Sequence, residues 1–322
     1  MTIAKLLPDY SLEYGKFRFY LSSAGEAVLP PYKGSAIRGV LGKAFRNIAC
    51  HKKNKECEGC MFLTRCVYPY VFETSSFTAL EKVGQHYVPH PFLLEPSLDG
   101  CQFYNPGDIL SFDLVLFGHG LEYLPYFILA FQEVEKLGLG AGRYSFSLER
   151  VDQLKGSELI IIWQGGSNLL NPPLLENLAS CLEPDPVDRK GQLKLSLETP
   201  LRLVFEGELV SDLYFYQLMR ALFRRLGFLS KAHGRARLDL PFQELLERAE
   251  GVEQVESNLT WQEWERYSAR QKKKLRMGGL VGTLHYQGEL KDFWPFLRMG
   301  EIVHVGKGTV FGLGKIKVIH KK

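Results

Sequence analysis

The chain has 322 residues, of which 45% are hydrophobic and 24% charged, with a formal net charge of +4. That is the mix of a globular protein long enough for two domains. Met1 to Tyr20 carries charges throughout, so no secretory signal is expected, and the apolar runs Phe127 to Phe131 and Leu159 to Trp163 are too short to span a bilayer. A soluble, cytoplasmic protein without a membrane partner is expected, and any polyanion must be held by clustered cations rather than by the small total charge.

Lys16 to Leu21 alternates as a strand, and Lys33 to Ala49 reads as a helix with Ile37, Val40, Leu41, Ala44, Phe45 and Ile48 on one face. Its opposite face carries Arg38, Gly39, Gly42, Lys43 and Arg46. A glycine costs such a helix about 1 kcal/mol against alanine, which close packing of a neighbouring strand or close approach of a nucleic-acid backbone would justify. Strands follow at Val88 to Leu94 and Ile109 to Phe117, then a helix from Leu124 to Leu137. The glycine turn Gly138-Leu139-Gly140-Ala141-Gly142-Arg143 leads into the alternating strand Tyr144 to Leu148.

Residues 165–191 hold Asn171-Pro172-Pro173 and Glu183-Pro184-Asp185-Pro186 around a short helical segment, Leu174 to Leu182, a linker composition. The order of elements then repeats. Leu193 to Phe205 is extended. Ser211 and Asp212 offer N-caps to a helix reaching Leu226, with Gly227 as its stop. A helix from Pro241 to Val255 reads as an insertion. Strands near Leu259 to Tyr267 and Leu280 to Tyr286, a short helical stretch from Phe293 to Met299 and a last strand containing Ile316 and Val318 complete the unit. Two β-α-β-β-α-β units predict an α+β fold of tandem ferredoxin-like (RRM-like) domains, with residues 1–164 in the first, 165–191 as linker and 192–322 in the second.

Four of the six cysteines fall in Cys50-x6-Cys57-x2-Cys60-x5-Cys66, an insert over 50–73 behind the first helix. Without a secretory signal disulfides are not expected, and the Cys57-Glu58-Gly59-Cys60 spacing is that of a metal knuckle. Four thiolates would close a tetrahedral zinc site of structural type. An iron–sulfur cluster also accepts four cysteines, which leaves a redox protein as a reading of another class.

The stretch from His304 to Val318 holds four glycines, Gly306, Gly308, Gly312 and Gly314, and three lysines, Lys307, Lys315 and Lys317. Glycines admit positive φ and close backbone approach, and lysines among them favour an anion. A Walker loop would need Gly-Lys-Ser/Thr followed by a helix. Here a strand follows, so a phosphodiester backbone is the better ligand. Arg266, Arg270, Lys272, Lys273, Lys274 and Arg276 place six positive and no negative charges in eleven residues, beside Trp264 and Tyr267. That combination suits phosphates with an occasional stacked base. Arg224, Arg225, Lys231, Arg235 and Arg237 form a second basic region.

The succession Leu29-Pro30-Pro31-Tyr32-Lys33-Gly34-Ser35-Ala36-Ile37-Arg38-Gly39, the four cysteines, Pro89-His90-Pro91-Phe92-Leu93-Leu94-Glu95-Pro96 and Arg266-Tyr267-Ser268-Ala269-Arg270-Gln271 resembles the CRISPR precursor-RNA processing endoribonucleases of the RAMP superfamily. The ending, Gly278-Gly279-Leu280-Val281-Gly282 through His304-Val305-Gly306-Lys307 to Phe311-Gly312-Leu313-Gly314, is similar to that superfamily's glycine-rich loop. The resemblance implies tandem ferredoxin-like domains and cleavage of CRISPR repeat RNA without a catalytic metal. The 2′-hydroxyl would attack the adjacent phosphate, leaving a 2′,3′-cyclic phosphate and a 5′-hydroxyl. Such chemistry needs a base, an acid and cations. The resemblance places a histidine behind the first helix: His86, directly before the strand at Val88, is the leading candidate, His51 the fallback and His90 a third. RNA contacts are expected from Arg38, Arg266, Arg270, Lys272, Lys273, His304, Gly306, Lys307, Gly308, Gly312, Gly314 and Lys315. Repeat RNA, processed guide RNA, other CRISPR effector subunits and a second copy of the chain are the expected partners. A non-catalytic RAMP subunit that only holds guide RNA is the alternative.

Overall fold

A computed structural model describes residues 7, 9–51, 56–74, 88–182, 191–268 and 273–319. The chain divides into two compact units. One comprises Glu13–Glu176 with Ala232–Gly234, the other Asn177–Lys231 and Arg235–Lys322 with Met1–Leu12. The division falls inside the stretch of linker composition, where Leu178–Leu182 forms one short 3-10 helix.

In the N-terminal unit the elements run β1 (Glu13–Ser23), α1 (Gly34–Ala49), α2 (Val67–Phe72), β2 (Phe92–Pro96), β3 (Ile109–Phe117), α3 (Leu124–Gln132), α4 (Val134–Leu137), β4 (Phe146–Lys155) and β5 (Glu158–Gln164). The antiparallel sheet has the order β2-β3-β1-β4-β5. This is the ferredoxin-like order 2-3-1-4 with one strand added at the β4 edge.

Alternation along β1 decides what each face of the sheet meets. Phe17, Phe19 and Leu21 are buried, and the Phe19 ring lies 5.4 Å from Phe112 and 4.9 Å from Phe131 of α3. Phe45 of α1 joins this core 5.2 Å from Phe127. The intervening residues carry a charged ladder. Lys16 pairs with Glu95 at 2.9 Å and with Asp113 at 3.4 Å, and Arg18 pairs with Asp113 at 2.7 Å. Glu95 and Asp113 are directly opposed across β2 and β3, a repulsive pairing that Lys16 bridges. The hydrogen bond to Asp113 holds the Arg18 guanidinium above its ordinary pKa.

In the C-terminal unit the elements are β6 (Gln192–Leu201), α5 (Phe215–His233), α6 (Phe242–Glu250), β7 (Glu253–Gln262), β8 (Glu265–Ser268), β9 (Lys273–Arg276), β10 (Gly279–Gln287), α7 (Trp294–Val303) and β11 (Ile316–Ile319). Residues 232 and 233 at the end of α5 group with the N-terminal unit. The antiparallel sheet order β7-β10-β6-β11 is again 2-3-1-4. Phe215 packs 5.2 Å from both Tyr286 and Phe293, and Phe223 packs 4.9 Å from Phe296. The tandem ferredoxin-like fold expected from the repeated element order is therefore what the chain forms. Among the described residues no helix is long and apolar enough to cross a membrane.

Several local expectations are corrected. Gly227 does not stop α5, which runs on to His233, because buried Leu226 and Leu229 carry the apolar stripe past it. The helix from Leu124 is interrupted at Glu133. Residues 88–91 are not strand: Pro89 and Pro91 lack N–H groups, and the Phe117 N–H donates to Pro91 O at 2.9 Å. Leu159 to Trp163, read only as an apolar run, lies in β5. The helix after Pro241 ends at Glu250, so that residues to 255 belong partly to β7.

Candidate nucleic-acid interface

In the C-terminal unit, β6 ends in Thr199-Pro200-Leu201-Arg202, and the glycine-rich loop is fastened to it. Lys307 N–H donates to Arg202 O at 3.0 Å, Gly314 N–H to Pro200 O at 3.1 Å and Val305 N–H to Gly314 O at 2.9 Å. The Thr199 hydroxyl donates to Gly312 O at 2.8 Å and accepts from Lys315 N–H at 2.9 Å. A short 3-10 turn, Thr309–Phe311, sits between Gly308 and Gly312, both in the left-handed region.

Two glycines show what the missing side chain avoids. Gly314 has φ +70, and a Cβ on it would fall 1.7 Å from Val305 O. Gly306 has φ +87, and its Cβ would lie 2.7 Å from Arg202 O. The sequence suggested that these glycines let RNA approach the backbone. The geometry gives a nearer reason: the loop packs against its own backbone.

His304 differs from the expected RNA contact. It is fully buried and has φ +58, ψ 170 at the C-terminus of α7, a region nearly reserved for glycine. Its ring Nδ1 lies 3.2 Å from Leu313 O. A carbonyl only accepts, so Nδ1 carries the proton and the ring braces the loop from beneath. Lys307 is exposed and offers its ammonium to solvent. Lys315 is half-buried and lies 3.6 Å from Glu198, which leaves it a weaker cation for a phosphate.

Residues that the sequence did not single out gather at the same place. Arg202 donates from Nη1 to Gly278 O at 3.0 Å, and its guanidinium lies 5.8 Å from the half-exposed Trp261 ring. A Cβ on Gly308 would come within 3.3 Å of Met277. Met277 in turn donates its N–H to Trp264 O at 2.6 Å, so the loop adjoins the base of the β8–β9 hairpin. Arg266 pairs in register with Leu275, and Lys273 with Ser268. Arg276 and Lys274 are exposed, with Lys274 3.4 Å from Glu265. Arg270 and Lys272 lie outside the described residues. In the second basic region Arg225 is buried and donates from Nε to Val303 O. It caps the last carbonyl of α7.

The N-terminal unit holds the other candidates. Arg38 is half-buried with its guanidinium 5.2 Å from the Phe72 ring, and Arg46 lies 4.3 Å from the Tyr68 ring. Gly42 is where these groups meet: a Cβ there would be 3.2 Å from Arg38 Nη1 and 3.6 Å from Phe72 Cε1. The element that faces this glycine is helix α2, at ordinary van der Waals distance, and not a strand. Cys50, Cys57, Cys60 and Cys66 are half-buried free thiols, whereas Cys101 is exposed and Cys181 buried. Burial pushes the Cys66 thiol up, and the thiols of Cys57, Cys50 and Cys60 add to the effect. Among the described residues no group of three or more His, Cys, Asp or Glu side chains is arranged to hold a metal ion.

His51 is exposed just beyond Cys50, and His86 lies outside the described residues. His90 is half-buried, with Nδ1 3.0 Å from Thr74 Oγ1. That hydroxyl donates its only proton to Tyr70 O at 2.9 Å, so His90 Nδ1–H donates to it and Nε2 is the basic nitrogen. His233 is buried with Nε2 2.8 Å from Pro89 O and Nδ1 3.0 Å from Tyr70 Oη. The carbonyl fixes Nε2–H, so Tyr70 donates to Nδ1. Burial raises the Tyr70 phenol far above its ordinary range, so it stays a donor.

Comparison with known proteins places these features. Residues 12–175 match the AF_1859_N N-terminal domain model, and residues 195–316 match the model of the CRISPR-associated endoribonuclease Cas6. Through residues 195–316 the chain carries a Cas6-family domain. It is an endoribonuclease of that family, and the Cas6 model spans β6 through the start of β11, including the glycine loop. A protein of Archaeoglobus fulgidus, described only as uncharacterized, is 22% identical over 301 residues, covering 90% of this chain and 92% of that one. A Thermus thermophilus Cas6 has the same fold with a TM-score of 0.52 at 15% identity, covering 96% of this chain and 99% of that chain. Another Cas6, solved as a product complex, gives 0.53 at 17% identity, covering 96% and 100%. A chain of a partial Cas6-RT-Cas1–Cas2 complex gives 0.58 at 14% identity, covering 98% of this chain and 47% of that chain.

Proposed function

We propose that this Cas6-family chain cleaves CRISPR repeat RNA by attack of a 2′-hydroxyl on the adjacent phosphate. The P–O2′ bond forms as the P–O5′ bond breaks. A base takes the 2′ proton and an acid gives one to the departing 5′ oxygen, leaving a 2′,3′-cyclic phosphate and a 5′-hydroxyl. The nucleophile is already in the substrate, so the protein's part is to place the RNA, shuttle protons and offset charge on the phosphorane. No metal ion is required for these roles. His86, with His51 as the alternative, supplies the proton transfer, and the products are guide RNAs that other CRISPR subunits or a second copy of the chain would meet.

The observation that carries this reading is the glycine loop, fixed by at least five hydrogen bonds around β6 and presenting Lys307 beside Arg202 and Trp261. A rigid backbone with one exposed cation and a nearby aromatic face suits a phosphate and its base. Lys307→Ala is expected to weaken repeat-RNA binding and to lower the salt slope of affinity by about one phosphate contact. An unchanged slope in a salt titration of binding would remove Lys307 from the interface.

The deciding experiment for the reaction is incubation of the full chain with repeat RNA in EDTA, with the product ends identified. Cleavage leaving a cyclic phosphate is expected. Tight binding without cleavage would favour a subunit that only holds guide RNA. Cleavage that stops in EDTA and resumes with added magnesium would overturn the metal-independent mechanism.

A further inference from the structure

We propose that the outer face of α5 is a second RNA contact of the C-terminal unit, apart from the glycine loop. An unpaired segment of the repeat lays its phosphates on Arg220 and Arg224 and a base on Tyr214. The inference rests on the RNA-processing reading and adds a binding surface to it. At about 100° per residue, Leu218, Met219, Leu222, Leu226 and Leu229 fall on the side of α5 that is buried. Tyr216, Arg220, Arg224 and Phe228 recur at four-residue steps on the other side, and Lys231 joins them there. Both arginines and Lys231 are exposed, whereas Tyr216 and Phe228 are half-buried. A helix that merely faces water gains from carboxylates placed four residues from its cations. Helix α5 carries Arg220, Arg224, Arg225 and Lys231 and no carboxylate. Among the described residues neither Arg220 nor Arg224 has an acidic partner. Each guanidinium rests on a ring instead, Arg220 at 5.2 Å from Phe205 and Arg224 at 5.5 Å from Phe228. Stacking of this kind leaves the N–H fork at the rim free to meet a phosphate. The two arginines are about 6 Å apart along the helix axis, comparable with neighbouring phosphates of an unpaired strand.

Aromatic surface continues from this row. Phe205 stands in a short hairpin that pairs Val204 with Leu209 just beyond Arg202, and its ring lies 5.6 Å from Tyr216. Tyr214 is 49% exposed and stacks on Tyr216, the ring planes 17° apart at 6.3 Å. It offers an open ring face in a braced orientation, which is what a stacked base requires. The exposed Glu206 and Glu208 at the hairpin turn repel a polyanion and mark the limit of the surface. Gly227 supplies an independent argument. It lies between Arg220, Arg224 and Lys231 on the same face, inside α5, where glycine is less favourable than alanine. A Cβ there would meet nothing within 4 Å, so packing among the described residues does not ask for its absence. Bare backbone at the centre of a cationic face admits the close approach of a ligand.

The test is a salt titration of repeat-RNA binding by the full chain, read apart from cleavage. Arg220→Ala with Arg224→Ala is expected to lower the salt slope by two phosphate contacts, about 1.4 on the single-strand scale. Tyr214→Ala should weaken binding about 5–150-fold with the slope unchanged, because the ring carries no charge. Tyr214 is exposed, so its variant reads the face even where the arginine pair misfolds. Gly227→Gln should melt no lower than the wild type and yet bind several-fold more weakly, a combination that a purely structural glycine would not give. An unpaired oligouridine should compete for this face better than a perfectly paired RNA duplex of equal length. Wild-type slope and affinity in the arginine pair would overturn the proposal while leaving Lys307 and the processing reading in place. A chain that binds no repeat RNA would overturn both. Affinity lost in the arginine pair but kept in Tyr214→Ala, with the duplex the better competitor, would overturn the unpaired strand in favour of a paired stem.

Discussion

His86→Ala is expected to slow single-turnover cleavage of repeat RNA about 10²–10⁴-fold, the usual loss for one general acid or base, with affinity near wild type. Imidazole titrates close to neutral pH and so can accept the 2′ proton or deliver one to the 5′ oxygen. One neutral ring contributes little to holding a polyanion, which is why binding should persist. His51→Ala and His90→Ala belong in the same experiment. His51 stands exposed beyond Cys50. His90 is held through Nδ1 by Thr74, an orientation that keeps Nε2 basic. A loss confined to His51→Ala or His90→Ala would move the assignment to that residue. Wild-type rates in all three variants would shift catalysis to a lysine or tyrosine near the glycine loop.

The fold was legible because its main signals are local. Phe17, Phe19 and Leu21 alternate with Lys16, Arg18 and Tyr20, and the apolar stripe of α1 recurs at helical spacing. The same order of strands and helices appears twice, and the ferredoxin-like sheet follows from it. The errors arose where a distant contact outweighed a local preference. Gly227 resembles a helix stop, yet the buried leucines on either side continue α5. Pro89 and Pro91 shorten a strand that hydrophobicity alone extends.

The candidate site was less legible for the same reason. Lys307 could be read from charge among glycines. Arg202 could not, because its partners Gly278 and Trp261 lie far along the chain and meet it only through the sheet. A glycine-rich sequence also shows that side chains are excluded without showing what would collide with them. At Gly306 and Gly314 the obstacle is backbone oxygen of the same unit. In the sequence His304 is a polar residue beside a binding loop, and burial makes it a brace.

Gly314→Ala is expected to destabilise the C-terminal unit by about 2–5 kcal/mol. The left-handed conformation costs a side chain about 1–2 kcal/mol, and forcing a methyl into packed structure costs about 1–3 kcal/mol. The added Cβ would begin 1.7 Å from Val305 O, so the Val305–Gly314 hydrogen bond must open and the loop must leave β6. For a unit of this size the midpoint of thermal unfolding should fall by about 10 °C. RNA affinity should fall with it, because Lys307 loses the backbone that presents it. Gly227→Ala supplies the opposite case within the same unit. Its Cβ would meet nothing within 4 Å in the interior of α5, so helix propensity should raise stability by about 0.5–1 kcal/mol. Thermal unfolding and RNA titration of both variants separate the two roles of a glycine. A Gly314→Ala chain that melts with the wild type yet fails to bind RNA would restore the reading in which glycine is there for the phosphate backbone. Joint loss of stability and binding would show that the loop's glycines serve RNA through the shape they allow the protein to take.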